Sequence, residues 1–454
     1  MTNKDNQQKY LDFRNEYPFF EYQSYSFNFI NGNLQAEFSF NLSDKYIFKP
    51  TISIPSRSFY SLDSVNKIDL NNFIFHIGMV ELISYWKAAC PPKLIITPQL
   101  LDEKQVAWWK KLYFLGLGEF FYLNGISTDE DSFMEISTHG EKLNLASVRV
   151  DSEKVIVPIG GGKDSVVTLE LLSRSMVPVI PMMVNPREAS IRTIETAGYT
   201  VDQSIVINRT IDAGLLELNR LGFLNGHTPF SALLAFAGVL SCAMSGIGNI
   251  ALSNESSANE STVPGSKINH QYSKTFEFES DFAWYLKNYV HPDLRYFSFL
   301  RPVNELQIAK LFSKYPQHFD GFRSCNVGSK TDSWCGKCPK CLFTYAILSP
   351  FIERQKLVAI FGKDMLDDLS LKKIFDELTG TSEVKPFECV GTPDEVVAAL
   401  QKYSQTNPDT SSLIKSLGTD NYNDVDFVKL ISEYNAEQLI SEKFEQILKD
   451  ALND

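Results

Sequence analysis

The feature that most constrains this chain is Val155-Ile-Val-Pro-Ile-Gly160-Gly161-Gly162-Lys163-Asp164-Ser165, where an apolar strand runs into three glycines and straight into an amphipathic helix. Residues without Cβ let successive backbone N–H groups turn toward one anion. The first helical turn adds unpaired N–H donors and the positive end of its dipole. Lys163 and the Ser165 hydroxyl supply further donors at the same point. The segment therefore predicts a phosphate cradle. Its spacing is not Gly-x-x-x-x-Gly-Lys-Ser/Thr, because Gly162-Lys163 is followed by Asp164, so the nucleotide chemistry differs from that of a P-loop NTPase.

From Val155 onward the pattern alternates. Strands at 155–159, 177–184, 204–207 and 249–253 are interleaved with helices at 164–175, 188–197, 211–221 and 230–245. Such alternation predicts an α/β fold, a parallel doubly wound sheet with helices on both faces. Ligands on such a sheet collect at the carboxyl ends of the strands, where the strand order reverses. Gly160, Gly161, Gly162, Lys163, Asp164 and Ser165, then Asn185-Pro186-Arg187, then Ser253-Asn254-Glu255, occupy those positions. Between Thr228 and Asn254 no residue is charged, a length able to cross a bilayer as a helix. Pro229, Ser231, Ser241, Ser245, Gly246, Gly248 and Asn249 interrupt it, and Phe230 to Ser245 reads as a buried small-residue helix packed on the sheet.

At 454 residues and 44% hydrophobic content, the chain holds material for about two to four domains. Residues 1–150 read as an independent α+β unit, 151–348 as the nucleotide domain, and 349–454 as a helical region ending in an amphipathic helix over 435–452. In the first unit Tyr25, Phe27 and Phe29 alternate, Asn31-Gly32 supplies a turn, and Leu34, Ala36, Phe38 and Phe40 alternate again, which predicts a hairpin. Helices near Met79 to Lys87 and Glu103 to Leu115 cover it, with Trp108 and Trp109 as core. A net charge of −12 argues against a nucleic-acid partner. The start Met1 to Lys9 is polar, with no apolar signal segment after it, so a cytoplasmic location is expected.

Four of the seven cysteines, Cys325, Cys335, Cys338 and Cys341, lie within one short stretch. In a cytosolic chain thiolates so spaced point to metal rather than disulfides. Cys335-Gly-Lys-Cys338 is a knuckle turn, and Cys325 and Cys341 complete a closed tetrahedral set, for zinc or, as the rival, an iron–sulfur cluster. Cys90 and Cys242 read as buried structural residues.

The loop Gly160 to Ser165 resembles the Ser-Gly-Gly-x-Asp-Ser loop of the PP-loop ATP pyrophosphatases (a HUP-like fold), with Gly160 in place of the first serine. That resemblance implies cleavage of ATP between the α and β phosphates, with Mg2+, and an adenylated carboxyl or carbonyl group. The cysteine spacing is similar to the zinc site of the 7-cyano-7-deazaguanine synthases, another PP-loop family. A closer resemblance rests on Phe75-His76, Gly78, Glu81, Ser84 to Lys87, Trp108-Trp109, Gly116 to Tyr122, the loop itself, Asn269 to Lys274, Glu277 to Glu279 and Cys335 to Cys341, with an echo at Lys385 to Thr392. These look like the UDP-N-acetyl-α-D-muramoyl-L-alanyl-L-glutamate epimerases. The resemblance implies ATP-dependent inversion of the terminal L-glutamate of that nucleotide-sugar dipeptide, for peptidoglycan precursor synthesis. Acid and base candidates are His270, Lys274, Glu255 and Glu260, which follow the strand at 250–253; His227 and a Cys242–Cys389 pair rank behind them. The alternatives are another PP-loop adenylating enzyme, acting on a deazapurine acid or on tRNA, or a zinc-stabilised binding module without catalysis.

Overall fold

A computed structural model describes residues 5–60, 67–407, 411–417 and 425–454. Met1 to Lys4, the first residues of the polar start described above, lie outside them. One mixed, mostly parallel sheet of eleven strands runs through the described chain. From one edge its order is Arg295–Ser298, Ile247–Leu252, Asp151–Pro158, Val179–Val184 and Ile205–Arg209, all parallel. It continues antiparallel into Thr51–Ile54, Asn33–Leu42 and Phe19–Ile30, and then parallel into Lys93–Ile96 and Glu135–Thr138, with Tyr46–Phe48 beside Asn33–Leu42. The pairing of Asn208 with Ser53 and Arg209 with Ile52 joins the N-terminal strands to the parallel strands that begin at Asp151, so the two share a sheet.

Alternation within the strands explains the layers. Ile156, Met182 and Ile250 face one core, with the helix Phe230–Ser245, while Val155, Val157, Met183 and Ala251 face the other, with the helices Lys163–Arg174, Glu305–Ser313 and Pro339–Leu348. The helix Phe230–Ser245 is as expected, and Gly238 lets it approach closely: a Cβ there would stand 3.1 Å from Ile250 Cδ1. Among the described residues no helix is long and apolar enough to cross a membrane.

The hairpin forms around Asn31-Gly32, both with positive φ, as a two-residue primed turn requires. Its covering helix spans Lys67–Trp86, beginning well before the predicted start, because an all-round apolar run such as Phe73 to Ile77 carries no period to mark its face. The expected terminal helix over 435–452 is shorter, Glu442–Asn453. Upstream, the Asn435 amide donates to Pro302 O (2.8 Å) and the Glu437 amide to its neighbour's Asn435 Oδ1 (3.0 Å). Such local bonds replace the helical ladder.

Trp108 and Trp109 are core, as expected, and they meet the nucleotide part at a polar node. Tyr285 Oη accepts from Trp109 Nε1 (2.9 Å) and Gln105 Nε2 (3.2 Å), which leaves its own proton for His76 Nε2 (3.0 Å). His76 Nδ1–H then donates to Asn72 O (2.8 Å), so the network is satisfied only by a neutral imidazole. Burial lowers the His76 pKa from 6.5 to about 4. As pH falls from 6.5 toward 4 the unfolded chain takes up this proton and the folded chain does not. Stability is therefore complete above that interval and is lost through it, by about 3 kcal/mol. Urea unfolding at pH 7.5 and 4.5 should show a loss smaller by about 3 kcal/mol in His76→Gln; equal losses would contradict this account.

Candidate functional site

The parallel strands reverse their order beside Asp151–Pro158: the chain first builds outward through Val179–Val184 and Ile205–Arg209, then crosses to Ile247–Leu252 on the other side. A cavity of about 330 Å³ opens at that switch point, above the carboxyl ends of the strands. Gly160, Gly162, Lys163, Asp164 and Ser165 line it, opposite Lys274, Arg323, Lys340 and Cys389. Met182, Val184, Phe230, Leu234 and Leu252 form an apolar wall.

The loop geometry depends on glycine at two points. Gly161 has φ +87°, and a Cβ there would lie 2.7 Å from the Ala189 carbonyl carbon and the Ser190 nitrogen. At Gly162 a Cβ would stand 2.9 Å from Ser324 Oγ. Gly160 meets nothing within 4 Å, so a serine would fit there and its absence leaves the cavity side open. The Arg323 amide donates to Gly161 O (2.8 Å), and Ser165 Oγ donates to Gly162 O (3.0 Å). Gly162 caps the helix Lys163–Arg174, whose first amides point into the cavity mouth.

Lys163 is buried and ion-paired with both Asp164 and Glu305. Burial alone would lower its pKa, but the two carboxylates outweigh that and raise it, so the ammonium stays charged. Glu305 is raised well above the ordinary carboxylate range by burial, with Lys163 opposing. Asp164 and Glu305, both lining the cavity, are the carboxylates placed to hold a divalent ion beside a phosphate chain.

A second polar cluster forms the far wall. His270 Nδ1 lies 2.5 Å from Glu119 Oε2, and the charges of His270 and Lys274 act on Cys389. Burial lowers the His270 pKa, but Cys389 and Glu119 raise it to about 9. Burial raises the Cys389 thiol, yet Lys274, Lys340 and His270 bring it well below the ordinary value. His227 packs against His270 with ring centroids 4.4 Å apart and planes tilted by 40°, and its pKa is driven to about 4 by burial and then by the His270 charge.

The four knuckle sulfurs lie within 4.8 Å of one another. Cys325–Cys338 and Cys335–Cys341 are each separated by 3.7 Å and Cys338–Cys341 by 3.4 Å. A tetrahedral ion with bonds of about 2.3 Å to sulfur demands edges of about 3.8 Å. The Gly328 amide donates to Cys325 Sγ (3.1 Å) and the Lys337 amide to Cys335 Sγ (3.5 Å), the charge-stabilising contacts of a thiolate site. This knuckle carries Arg323, Ser324, Asn326 and Lys340 into the cavity wall.

Comparison with known proteins decides the lineage. A family model described as the MurL N-terminal domain matches residues 12–299, and one described as the MurL C-terminal domain matches residues 321–423. A UDP-N-acetyl-alpha-D-muramoyl-L-alanyl-L-glutamate epimerase of Xanthomonas oryzae pv. oryzae is 34% identical over 359 residues, covering 77% of this chain and 78% of the relative. The protein of the same name from Salinispora tropica is 33% identical over 389 residues, 84% of each chain. The chain belongs to the MurL family.

Both matched MurL regions meet in the cavity: the N-terminal one brings Gly160, Gly162, Lys163, Asp164, Ser165 and Lys274, the C-terminal one Arg323, Cys325, Lys340 and Cys389. The structure thus brings together the loop, Lys274, His270 and, close behind, Glu255, which is buried and raised by burial with Lys274 and Asp164 acting on it. Three candidates stand apart. Asn185 spends its amide on the Arg209 backbone (2.9 and 2.7 Å) and does not line the cavity. Glu260 is ion-paired with Lys385 on the surface. Cys242 points at Asn249 O within the core (3.9 Å) and does not face Cys389, so those two sulfurs form no pair.

Arg301 is a residue that the sequence reading does not single out. Fully buried, it donates to Glu255 O (2.6 Å), to Lys274 O, and to Glu279 Oε2 (3.0 Å), pinning the backbone of two site residues. Arg301→Met should destabilise the fold by about 3–5 kcal/mol, because the Glu279 carboxylate is left buried and unpaired. Urea unfolding checks this; a loss below about 1 kcal/mol would contradict it.

Proposed function

We propose that this chain inverts the α-carbon of the terminal L-glutamate of UDP-N-acetylmuramoyl-L-alanyl-L-glutamate, spending ATP to do so, in peptidoglycan precursor synthesis. The names of its relatives support the substrate and the inversion. The observation that carries the ATP step is a single cavity in which a glycine loop at a helix mouth faces a cluster of proton-transfer groups. The strand–glycine–helix unit at the switch point supports a PP-loop type of nucleotide site.

The chemistry follows from charge. Removing the α-proton beside an ionised carboxylate puts a second negative charge next to the first. Adenylation of that carboxylate, with release of pyrophosphate, removes the obstacle. The amides of Gly160 to Lys163, with Lys163, Arg323 and Lys340, hold the phosphates and offset the charge that grows on the leaving group. A divalent ion, Mg2+ in our reading, would be held by Asp164 and Glu305 and would supply further charge compensation there. The apolar wall from Met182 to Leu252 suits a nucleobase. His270, Lys274 and Glu255 are placed to move the proton on the activated glutamyl group. At the knuckle, sulfurs this close support one Zn2+; the several metals of an iron–sulfur cluster would hold them further apart.

ATP–pyrophosphate exchange tests the reading. Exchange should depend on the muramoyl dipeptide nucleotide, and chiral analysis of hydrolysed product should show D-glutamate. Exchange supported by RNA or by a deazapurine acid instead would overturn it.

A further inference from the structure

Cys389 lies between the helices Lys372–Leu378 and Pro393–Thr406, in a segment clamped on three sides. Asn326 Nδ2 donates to Glu388 Oε2 (2.9 Å), tying it to the knuckle. Phe387 packs on Tyr122 (5.4 Å between ring centroids), tying it to the helix Gly118–Asn124 that bears Glu119. Lys385 pairs with Glu260, tying it to the loop before His270. The outcome is a sulfur in the cavity wall, within electrostatic reach of an imidazole that has a carboxylate 2.5 Å behind it. This is the order of nucleophile, base and orienting group that serves acyl transfer on unrelated folds.

We propose that Cys389, supported by His270 and Glu119, takes the glutamyl group from the adenylate as a thioester, and that the α-carbon is inverted while the group is held on sulfur. The proposal rests on the adenylation reading and deepens it. In the first step the thiolate electron pair forms a bond to the glutamyl carbonyl carbon, the bond from that carbon to the phosphate oxygen breaks, and AMP leaves with its electrons. No outside reagent is needed. In the last step water adds to the carbonyl carbon with loss of a proton to His270, the carbon–sulfur bond breaks with its electrons returning to sulfur, and the freed acid ionises.

Two physical arguments favour attack by this sulfur over direct removal of the α-proton by it. Lys274, Lys340 and the His270 cation all stabilise the thiolate. Such stabilisation weakens a base in full proportion, whereas nucleophilicity falls with an exponent of only about 0.4–0.5. The site as built therefore sacrifices more proton affinity than reactivity toward carbon. Second, sulfur donates less electron density into a carbonyl than oxygen does, so a thioester α-proton is more acidic than that of an oxygen ester. Once sulfur is acylated its charge is gone, His270 gives up its extra proton to water, and the neutral imidazole takes the α-proton from one face while the Lys274 ammonium returns a proton to the other, the two protons being restored through solvent.

The test uses the whole protein with ATP, Mg2+ and UDP-N-acetylmuramoyl-L-alanyl-L-glutamate, quenched in acid at millisecond times and weighed intact. The expected result is an added mass equal to the nucleotide peptide less one water, mapped to Cys389 and removed by neutral hydroxylamine. In Cys389→Ala the adduct should vanish and solvent deuterium should enter the glutamyl α-carbon at least about 10³-fold more slowly. Turnover by the native protein without any adduct, or an adduct on another residue, would overturn the thioester, and needs no variant to fold. ATP–pyrophosphate exchange measured on the same native sample separates the two levels: exchange without an adduct sinks the thioester alone, and no exchange sinks the adenylation reading with it.

Discussion

Lys163→Met is expected to reduce ATP–pyrophosphate exchange by at least about 10³-fold, the loss that removal of a principal charge-stabilising donor produces at a transition state. Lys163 is only 3% exposed and its ammonium holds Asp164 and Glu305 together at the edge of the cavity. Methionine fills the same volume but leaves those carboxylates facing each other, and incoming phosphates, without a cation. Repulsion then acts against both the nucleotide and the growing charge of the leaving pyrophosphate. The same change should lower folding stability by about 3–5 kcal/mol, as removing one partner of a buried pair does. Exchange must therefore be measured where urea unfolding shows the variant to be folded. Wild-type exchange in a folded Lys163→Met chain would remove the phosphate role assigned here.

Metal removal is the second large effect. A closed four-thiolate site gives its binding energy directly to folding, about 10–16 kcal/mol in zinc-finger peptides. In this chain the knuckle also sets Arg323, Lys340 and, through Asn326 and Glu388, the Cys389 segment in the cavity wall. Cys338→Ser, or a strong chelator applied during unfolding, should lower the thermal midpoint by more than about 10 °C. Exchange should fall with it. Metal analysis of native protein should find about one zinc per chain, as a single tetrahedral site requires. A Cys338→Ser chain with unchanged midpoint, or a native chain free of zinc and fully stable, would contradict a structural ion.

What the sequence shows of this site divides along physical lines. The phosphate loop is legible because each of its requirements is local: absent Cβ atoms, an apolar strand before them, a helix start after them. The cysteine cluster is legible for the same reason, three of its four thiols, Cys335, Cys338 and Cys341, lying within one short turn. The helix Phe230–Ser245 is legible from its small residues, whereas the beginning of Lys67–Trp86 is not, since an apolar run buried on every side has no period to announce it. Arg301 and Glu305 carry no local mark, whereas Glu119 and Cys389 are marked only by the likeness of the Gly116 to Tyr122 and Lys385 to Thr392 segments to the epimerases, and Cys389 enters the sequence reading in a pair with Cys242 that the fold does not form. All four are brought to the site region from separate elements by long-range packing. The sharing of one sheet by the N-terminal and nucleotide parts depends on the pairing of Thr51–Ile54 with Ile205–Arg209, a contact between segments some 150 residues apart in sequence. Such a pairing lies beyond pattern reading.

Incubation of the protein in deuterium oxide with UDP-N-acetylmuramoyl-L-alanyl-L-glutamate, with and without ATP, addresses the central claim most directly. The account predicts deuterium at the glutamyl α-carbon, D-configured product and AMP, all three only when ATP is present. Deuterium entering at the same rate without ATP, or inversion without formation of AMP, would contradict it.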